Sequence, residues 1–136
     1  MSVRYIDLKS WLIISICCFG LNALKLSAQH EQKFFNGLKN MDMMVVEFYL
    51  SDKTDITIID DQQILSRKPA VSLLKNFLDL HKPQSWELMH TGSSKDKTSQ
   101  YKVVKLYTIQ GTFRVFVYTN GPLTTSSIKE IRIDEF

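Results

Sequence analysis

The stretch of sequence that decides the fold is SRKPAVSLLKNFLDLHKP, residues 66–83, in which a helical pattern gives way to strands. Ser66 is the expected N-cap, and Pro69 falls in the first turn, where a missing backbone N–H costs nothing. Pro83 stops the helix near Leu80. Five apolar residues recur at helical spacing and form one stripe, namely Ala70, Leu73, Leu74, Phe77 and Leu78. The stretch therefore predicts a helix that packs one face against a core.

Beyond Pro83 the apolar period changes from helical to alternating, which is typical of β-strands. Four strands are predicted, over Ser85–Thr91, Gln100–Ile109, Thr112–Thr119 and Ser127–Asp134. Gln110-Gly111 is the tight link expected of a hairpin between the second and third of them. Because short polar segments join successive strands, an antiparallel sheet is expected.

The sequence before residue 66 predicts further elements. They are a helix over 30–39, a helix over 43–49 capped by Asp42, a turn at 51–53 and a strand over 54–60. The order helix, helix, strand, helix and four strands indicates the α+β class. A curled antiparallel sheet wrapped around a long helix accounts for this order.

Residues 1–28 have the pattern of a signal peptide. Arg4 and Lys9 precede an apolar run over 11–21, and Ala28 suits a cleavage site. A retained anchor is the alternative, but this run is shorter than the roughly 20 residues that cross a bilayer. The expected organisation is a signal peptide over 1–28 and a single α+β domain over 29–136. The protein is expected to be exported, periplasmic or secreted, with no stable membrane anchor after cleavage.

Charge and cysteine content narrow the partner classes. Cys17 and Cys18 both lie in the predicted signal, so the domain has no cysteine for a disulfide. The chain has 17 basic and 14 acidic residues. The predicted signal holds three of the basic residues and one of the acidic residues, so the domain has 14 basic and 13 acidic residues. The basic residues are interleaved with acidic ones, whereas nucleic-acid binding needs a concentrated basic surface. No nucleic-acid partner is expected.

Several segments resemble one family. They are His81–Pro83 with Trp86–Ser94, then Gln100-Tyr101, Gly111–Tyr118 and Ile128–Ile133. In order and spacing they are similar to domain-of-unknown-function family 4783, an uncharacterised family of exported bacterial proteins, over about residues 30 to 134. The resemblance implies a cystatin-like cone fold like that of nuclear transport factor two and ketosteroid isomerase. It carries no assigned activity, so it assigns no catalytic residue to this chain, and fold alone does not license function.

His90 is the residue that could support catalysis. If strand alternation holds, it shares a face with Trp86 and Leu88, which would place a titratable ring among apolar neighbours. Three residues could serve as its acid–base partner: Asp55, Tyr107 and Tyr118. The alternative is a structural histidine bonded to the backbone of residues 92–94. The alternative is favoured, because no second polar group is tied to His90 by the sequence.

The sequence favours a non-catalytic module that binds a small apolar ligand or a protein. One alternative is a cofactor-free lyase or isomerase built around His90, and another is a structural domain that self-associates along a sheet face, as in a homodimer. No cofactor or metal is expected. His30 lies beside the cleavage site, where it is expected to be mobile, and a contact with the helix dipole accounts for His81.

Overall fold

A computed structural model describes residue 26 and residues 28–136, so most of the predicted signal peptide lies outside the described residues. The helices are α1 (residues 28–39), α2 (Met43–Tyr49) and α3 (Arg67–Leu80). The strands are β1 (Leu50–Ile58), β2 (Asp61–Ser66), β3 (Pro83–Ser93), β4 (Ser99–Thr108), β5 (Gly111–Asn120) and β6 (Ile128–Glu135). In these residues no helix has both the length and the apolar character needed to cross a membrane.

The strands form one sheet in the order β2-β1-β6-β5-β4-β3. All neighbours are antiparallel except β1 and β6, which run parallel with Ile56 opposite Ile131 and Ile58 opposite Ile133. The α+β class is confirmed, whereas the expectation of a wholly antiparallel sheet is wrong at this pair. The chain crosses from β1 through β2, α3 and the β3–β5 meander before β6 returns beside β1, so a hairpin does not set their relative direction.

The start of β1 also differs from the prediction. Residues 51–53 are strand rather than turn, and β1 already begins at Leu50. Leu50 is buried and pairs with Ile128, and the Ser51 hydroxyl donates to the Ser126 carbonyl at 2.9 Å. Contacts distant in sequence therefore extend this strand. Strand β2 was not predicted, because it is a polar edge strand that pairs only with β1.

The helices pack on one face of the sheet, and their apolar stripes are confirmed. On α3 four residues of the predicted stripe are buried and Leu73 is half-buried. Helix α1 buries Phe34, Phe35 and Leu38, and α2 begins at the predicted cap, where Asp42 accepts a 3.4 Å hydrogen bond from the Val45 amide. Local patterning was sufficient for these helices.

Alternation along the strands separates two sheet faces. Val104 and Leu106 on β4, with Val115 and Val117 on β5, point toward the helices and are buried. We call this side the inner face and the opposite side the outer face. Helix α1 is tied to the inner face through Trp86 of β3, whose indole N–H donates to the side chain of Asn36 at 2.9 Å.

Candidate functional site

The backbone of β3 changes face before it reaches His90. Trp86 pairs with Leu106 and Leu88 pairs with Val104, both on the inner face, but His90 pairs with Val103 on the outer face. The register shifts between Leu88 and His90, which is a bulge, and one extra residue inverts the alternation that follows. The prediction that His90 shares a face with Trp86 and Leu88 is therefore wrong, and His90 is exposed on the other side of the sheet.

The candidate partners do not gather around His90. Asp55 lies on β1, four strands away, which is roughly 19 Å at the usual strand spacing. Tyr107 is four residues along β4 from the partner of His90, roughly 13 Å away, and Tyr118 is two strands away and two residues along on β5, roughly 12 Å. Among the described residues no hydrogen bond joins His90 to any of the three, so the structure does not bring His90 together with an acid–base partner from this set.

Two of these candidates have partners of their own. The Tyr107 hydroxyl donates to the Glu87 carboxylate at 3.1 Å, and this hydrogen bond raises the pKa of Tyr107 above its ordinary value. Asp55 lies opposite Glu130 of β6 in the strand register. Its Oδ2 accepts a hydrogen bond from the Gln62 side-chain amide at 2.8 Å. Its Oδ1 is buried without a partner among the described residues. Both side chains are held on the outer face by their own sheet neighbours.

The space between helices and sheet is occupied by packed side chains. Among the described residues, twenty buried apolar side chains form one cluster there. A charged residue also lies there, Lys102 of β4, whose ammonium lies 2.8 Å from the carboxylate of Glu31 on α1 and 3.3 Å from the Thr91 hydroxyl. The two charged side chains are only 9% and 15% exposed. This ion pair links α1 to the sheet, and each charge is the neutralising partner of the other.

The outer face carries a group of large apolar side chains, the outer patch, formed by Tyr101, Val103, Phe116 and Tyr118 on β4 and β5. Tyr101 is 40% exposed and Tyr118 36% exposed. The rings of Tyr101 and Phe116 stack with centroids 5.8 Å apart. The guanidinium of Arg132 lies over Phe116 at 5.7 Å. Aromatic rings with arginine at their edge are the residue types that protein interfaces concentrate.

Gly92 helps to position one ring of the outer patch. It pairs with Tyr101 across β3 and β4, and a Cβ at residue 92 would collide with the Tyr101 ring. The Tyr101 ring therefore lies over β3 at Gly92, the residue that has no side chain to exclude it. The sequence showed Gly92 and Tyr101 separately, but only the strand register brings them together.

A cleft of about 550 Å³ lies between α1 and α2. His30 lies at its edge within α1, half-buried, with Nδ1 2.9 Å from the Tyr49 hydroxyl. Burial raises the pKa of Tyr49 above its ordinary value. The structure places His30 within a helix and bonded to Tyr49 rather than in an unpaired terminal segment. Sequence reasoning missed the pair because 19 residues separate its members.

This element order and sheet place the molecule in a class of α+β domains with known structures. A protein from Cytophaga hutchinsonii described as NTF2-like shares 11% identity with a TM-score of 0.59, covering 82% of this chain and 97% of that one. A putative isomerase from Rhodopseudomonas palustris shares 10% identity with a TM-score of 0.55, covering 77% and 87%. At these identities the likeness concerns the fold alone, an NTF2-like cone.

The chain belongs to the family described as Domain of unknown function (DUF4783), whose model matches residues 32–134. A DUF4783 family protein from Bacteroides uniformis is 25% identical with a TM-score of 0.69, covering 77% of this chain and 95% of that one. None of the curated proteins compared with the chain matches it. The family resemblance and the fold expected from it are confirmed.

Proposed function

We propose that this domain is an exported, non-catalytic binding module that holds a protein on the outer face of its sheet. The observation that carries the proposal is the outer patch, in which large rings remain at the surface although the alternate residues of the same strands are buried. The packed interior supports a surface mode of binding, because a ligand inside the cone would have to displace core side chains.

The partner that the chemistry of this face favours is a second copy of the chain. Charges of both signs alternate around the outer patch: Arg114 is opposite Asp134, and Tyr118 is opposite Glu130. Glu130 also accepts a 2.7 Å hydrogen bond from Arg132. Because the face is not strongly of one sign, two copies can approach without net repulsion. Tyrosine and phenylalanine rings then supply the apolar contact area.

Sedimentation equilibrium of the purified protein tests this proposal. We expect a concentration-dependent dimer that Tyr118→Arg dissociates, because the substitution places two like charges in the centre of the contact. Phe48→Arg is the matched control, since Phe48 is 51% exposed but lies on α2, away from the sheet face. A wild-type protein that stays monomeric up to roughly 100 μM, well above a micromolar dissociation constant, contradicts the proposal. So does equal dissociation by the two variants.

A second candidate function rests on the His30–Tyr49 pair, which borders the α1–α2 cleft. A histidine hydrogen-bonded to a tyrosine could move a proton to or from a small carbonyl compound, as in a cofactor-free isomerase. Exchange of solvent deuterium into cyclohexenone, a simple enone, tests this function. Catalysed exchange that His30→Gln abolishes and His90→Gln preserves would favour it over the binding module. Exchange at the buffer rate would remove it.

A further inference from the structure

A second cleft, the α3-end cleft, lies at the C-terminal end of α3 and encloses about 340 Å³. Its walls come from α3, from the turn between β1 and β2, and from one end of β5 and β6. The apolar part includes Ile58, Leu73, Leu80 and Phe113. The volume lies within the range of sites for small molecules. This cleft is separate from the outer patch and from the His30–Tyr49 pair.

His81 offers a fixed hydrogen-bond acceptor in this cleft. Its ring stacks on Phe77 with centroids 4.5 Å apart and meets the edge of Phe113 at 4.9 Å. Nδ1 lies 3.0 Å from the Phe77 carbonyl oxygen, and because a carbonyl only accepts, Nδ1 carries the hydrogen. In the neutral ring Nε2 is then an acceptor, and no described residue donates to it. The contact with the end of α3 accounts for Nδ1 of His81 but leaves Nε2 available to a ligand.

The polar lining of the cleft is negative. Asp61 and Glu135 contribute carboxylates, Asn76 an amide, and no lysine or arginine is among the described lining residues. The C-terminal end of α3 adds the partial negative charge of its unpaired carbonyls. One oxygen of Asp61 accepts from the Gln63 side chain at 2.9 Å, which leaves the other oxygen available. The site therefore suits a positively charged molecule.

The rim of the cleft contains a strained residue. Ile59 has φ of 57°, a left-handed conformation that disfavours β-branched side chains, and it is 38% exposed. Its amide donates to the Ile133 carbonyl at 2.8 Å, which holds the turn in place. Glycine or asparagine would adopt this conformation with less strain. The chain instead keeps an apolar side chain at the cleft rim, at some cost in stability.

We infer that the α3-end cleft binds a small organic cation, an apolar molecule that carries a protonated amine. The ammonium donates to the carboxylates of Asp61 and Glu135 and to Nε2 of His81. The apolar body rests on Ile59, Leu80 and the aromatic walls. Three acceptors, two carboxylates and one imidazole nitrogen, together with the apolar lining match both parts of such a molecule. The inference does not depend on the proposed protein-binding function.

Amide NMR of the purified protein with benzylamine tests the inference. Benzylamine should produce saturable shifts at Ile59, Leu80 and His81. Neutral benzyl alcohol should bind about tenfold more weakly, the factor expected when a charge-assisted hydrogen bond is lost. No shift at these amides, or equal affinity for the amine and the alcohol, overturns the inference.

Variants then locate the acceptors. Asp61→Asn and Glu135→Gln should each weaken benzylamine binding about tenfold, whereas Asp60→Asn, a carboxylate outside the lining, should not. His81→Gln should weaken binding and the exposed His90→Gln should leave it unchanged. Ile59→Asn should raise the melting temperature while weakening binding. Because the side chains of Asp61 and Glu135 are exposed, the two carboxylate variants should fold. Wild-type affinity in both carboxylate variants contradicts the site.

Discussion

The inner and outer faces of strands β4 and β5 share one backbone but differ in how far their side chains are buried. Toward the helices, Val104 and Val115 are buried completely. On the opposite side, Tyr101 and Tyr118 keep more than a third of their surface in solvent. Since both faces have large apolar side chains, composition alone does not separate them. Most of the buried apolar surface that stabilises the fold therefore lies on the inner face. The large rings of the outer face remain available to a partner.

The largest expected effect that tests this difference is at Phe77. Phe77→Ala removes a buried ring that meets Phe113 edge to face at 5.0 Å, and the cavity should cost about 3–5 kcal/mol. Tyr118→Ala on the outer face should cost less, about 1–2 kcal/mol, because 36% of Tyr118 is already exposed. Urea unfolding at a fixed protein concentration measures both. Equal costs would mean that the two faces contribute alike to stability.

A smaller effect is expected at the lysines of β4, which lie on opposite faces. Lys102→Met leaves the Glu31 carboxylate buried without its partner and should cost about 3 kcal/mol. Lys105→Met should cost less than about 1 kcal/mol, because the Lys105 ammonium lies over exposed or half-buried rings, Phe136 at 3.9 Å and Tyr107 at 5.4 Å, and among the described residues pairs with no buried charge.

The double variant Lys102→Met/Glu31→Leu gives the control for this pair. Replacing both charges with apolar groups should recover most of the stability that Lys102→Met loses, because neither charge is left buried alone. Failure to recover would indicate that Lys102 acts through contacts other than Glu31. Urea unfolding of the wild-type protein, Lys102→Met, Lys105→Met and the double variant under one set of conditions compares their free energies of unfolding.

Local patterns in the sequence were sufficient for the helices and for strands β4–β6. The Asp42 cap and the stripe containing Phe77 depend on neighbours within a few residues. In these segments helical spacing or alternation has one consistent reading, so the element and its buried side follow together. The prediction of one small α+β domain came from these segments.

The rest of the fold and the site depend on pairing between distant residues. The parallel pairing of β1 with β6 links residues more than 70 positions apart, and with the pairing of Lys53 to β2 it makes the predicted turn part of a strand. A single bulge before His90 placed that residue on the opposite face from the one expected. The contact of Lys102 with Glu31 likewise appears only once α1 lies across the sheet. A pattern that assumes unbroken alternation does not include such contacts.

The smallest effect concerns two tyrosines whose pKa values are both raised, for different reasons on the two sides of the molecule. Burial raises the pKa of Tyr49, whereas the hydrogen bond to the Glu87 carboxylate is the main cause for Tyr107 on the outer face. A raised tyrosine pKa favours the neutral phenol in the folded protein. The stabilisation is therefore complete below the ordinary value of 10.0 and is lost as pH rises through the folded value.

Glu87→Gln separates the two causes. Without the carboxylate charge, the pKa of Tyr107 should fall toward its ordinary value, while that of Tyr49 should not change, because burial between α1 and α2 is unaffected. NMR titration of the tyrosine ring carbons in both proteins follows each group. If Glu87→Gln lowers both values, the two tyrosines are coupled through the fold and the faces are not electrostatically independent. If it lowers neither, desolvation rather than Glu87 raises the pKa of Tyr107. The outer face is then less accessible to water than the exposed fractions of its rings indicate.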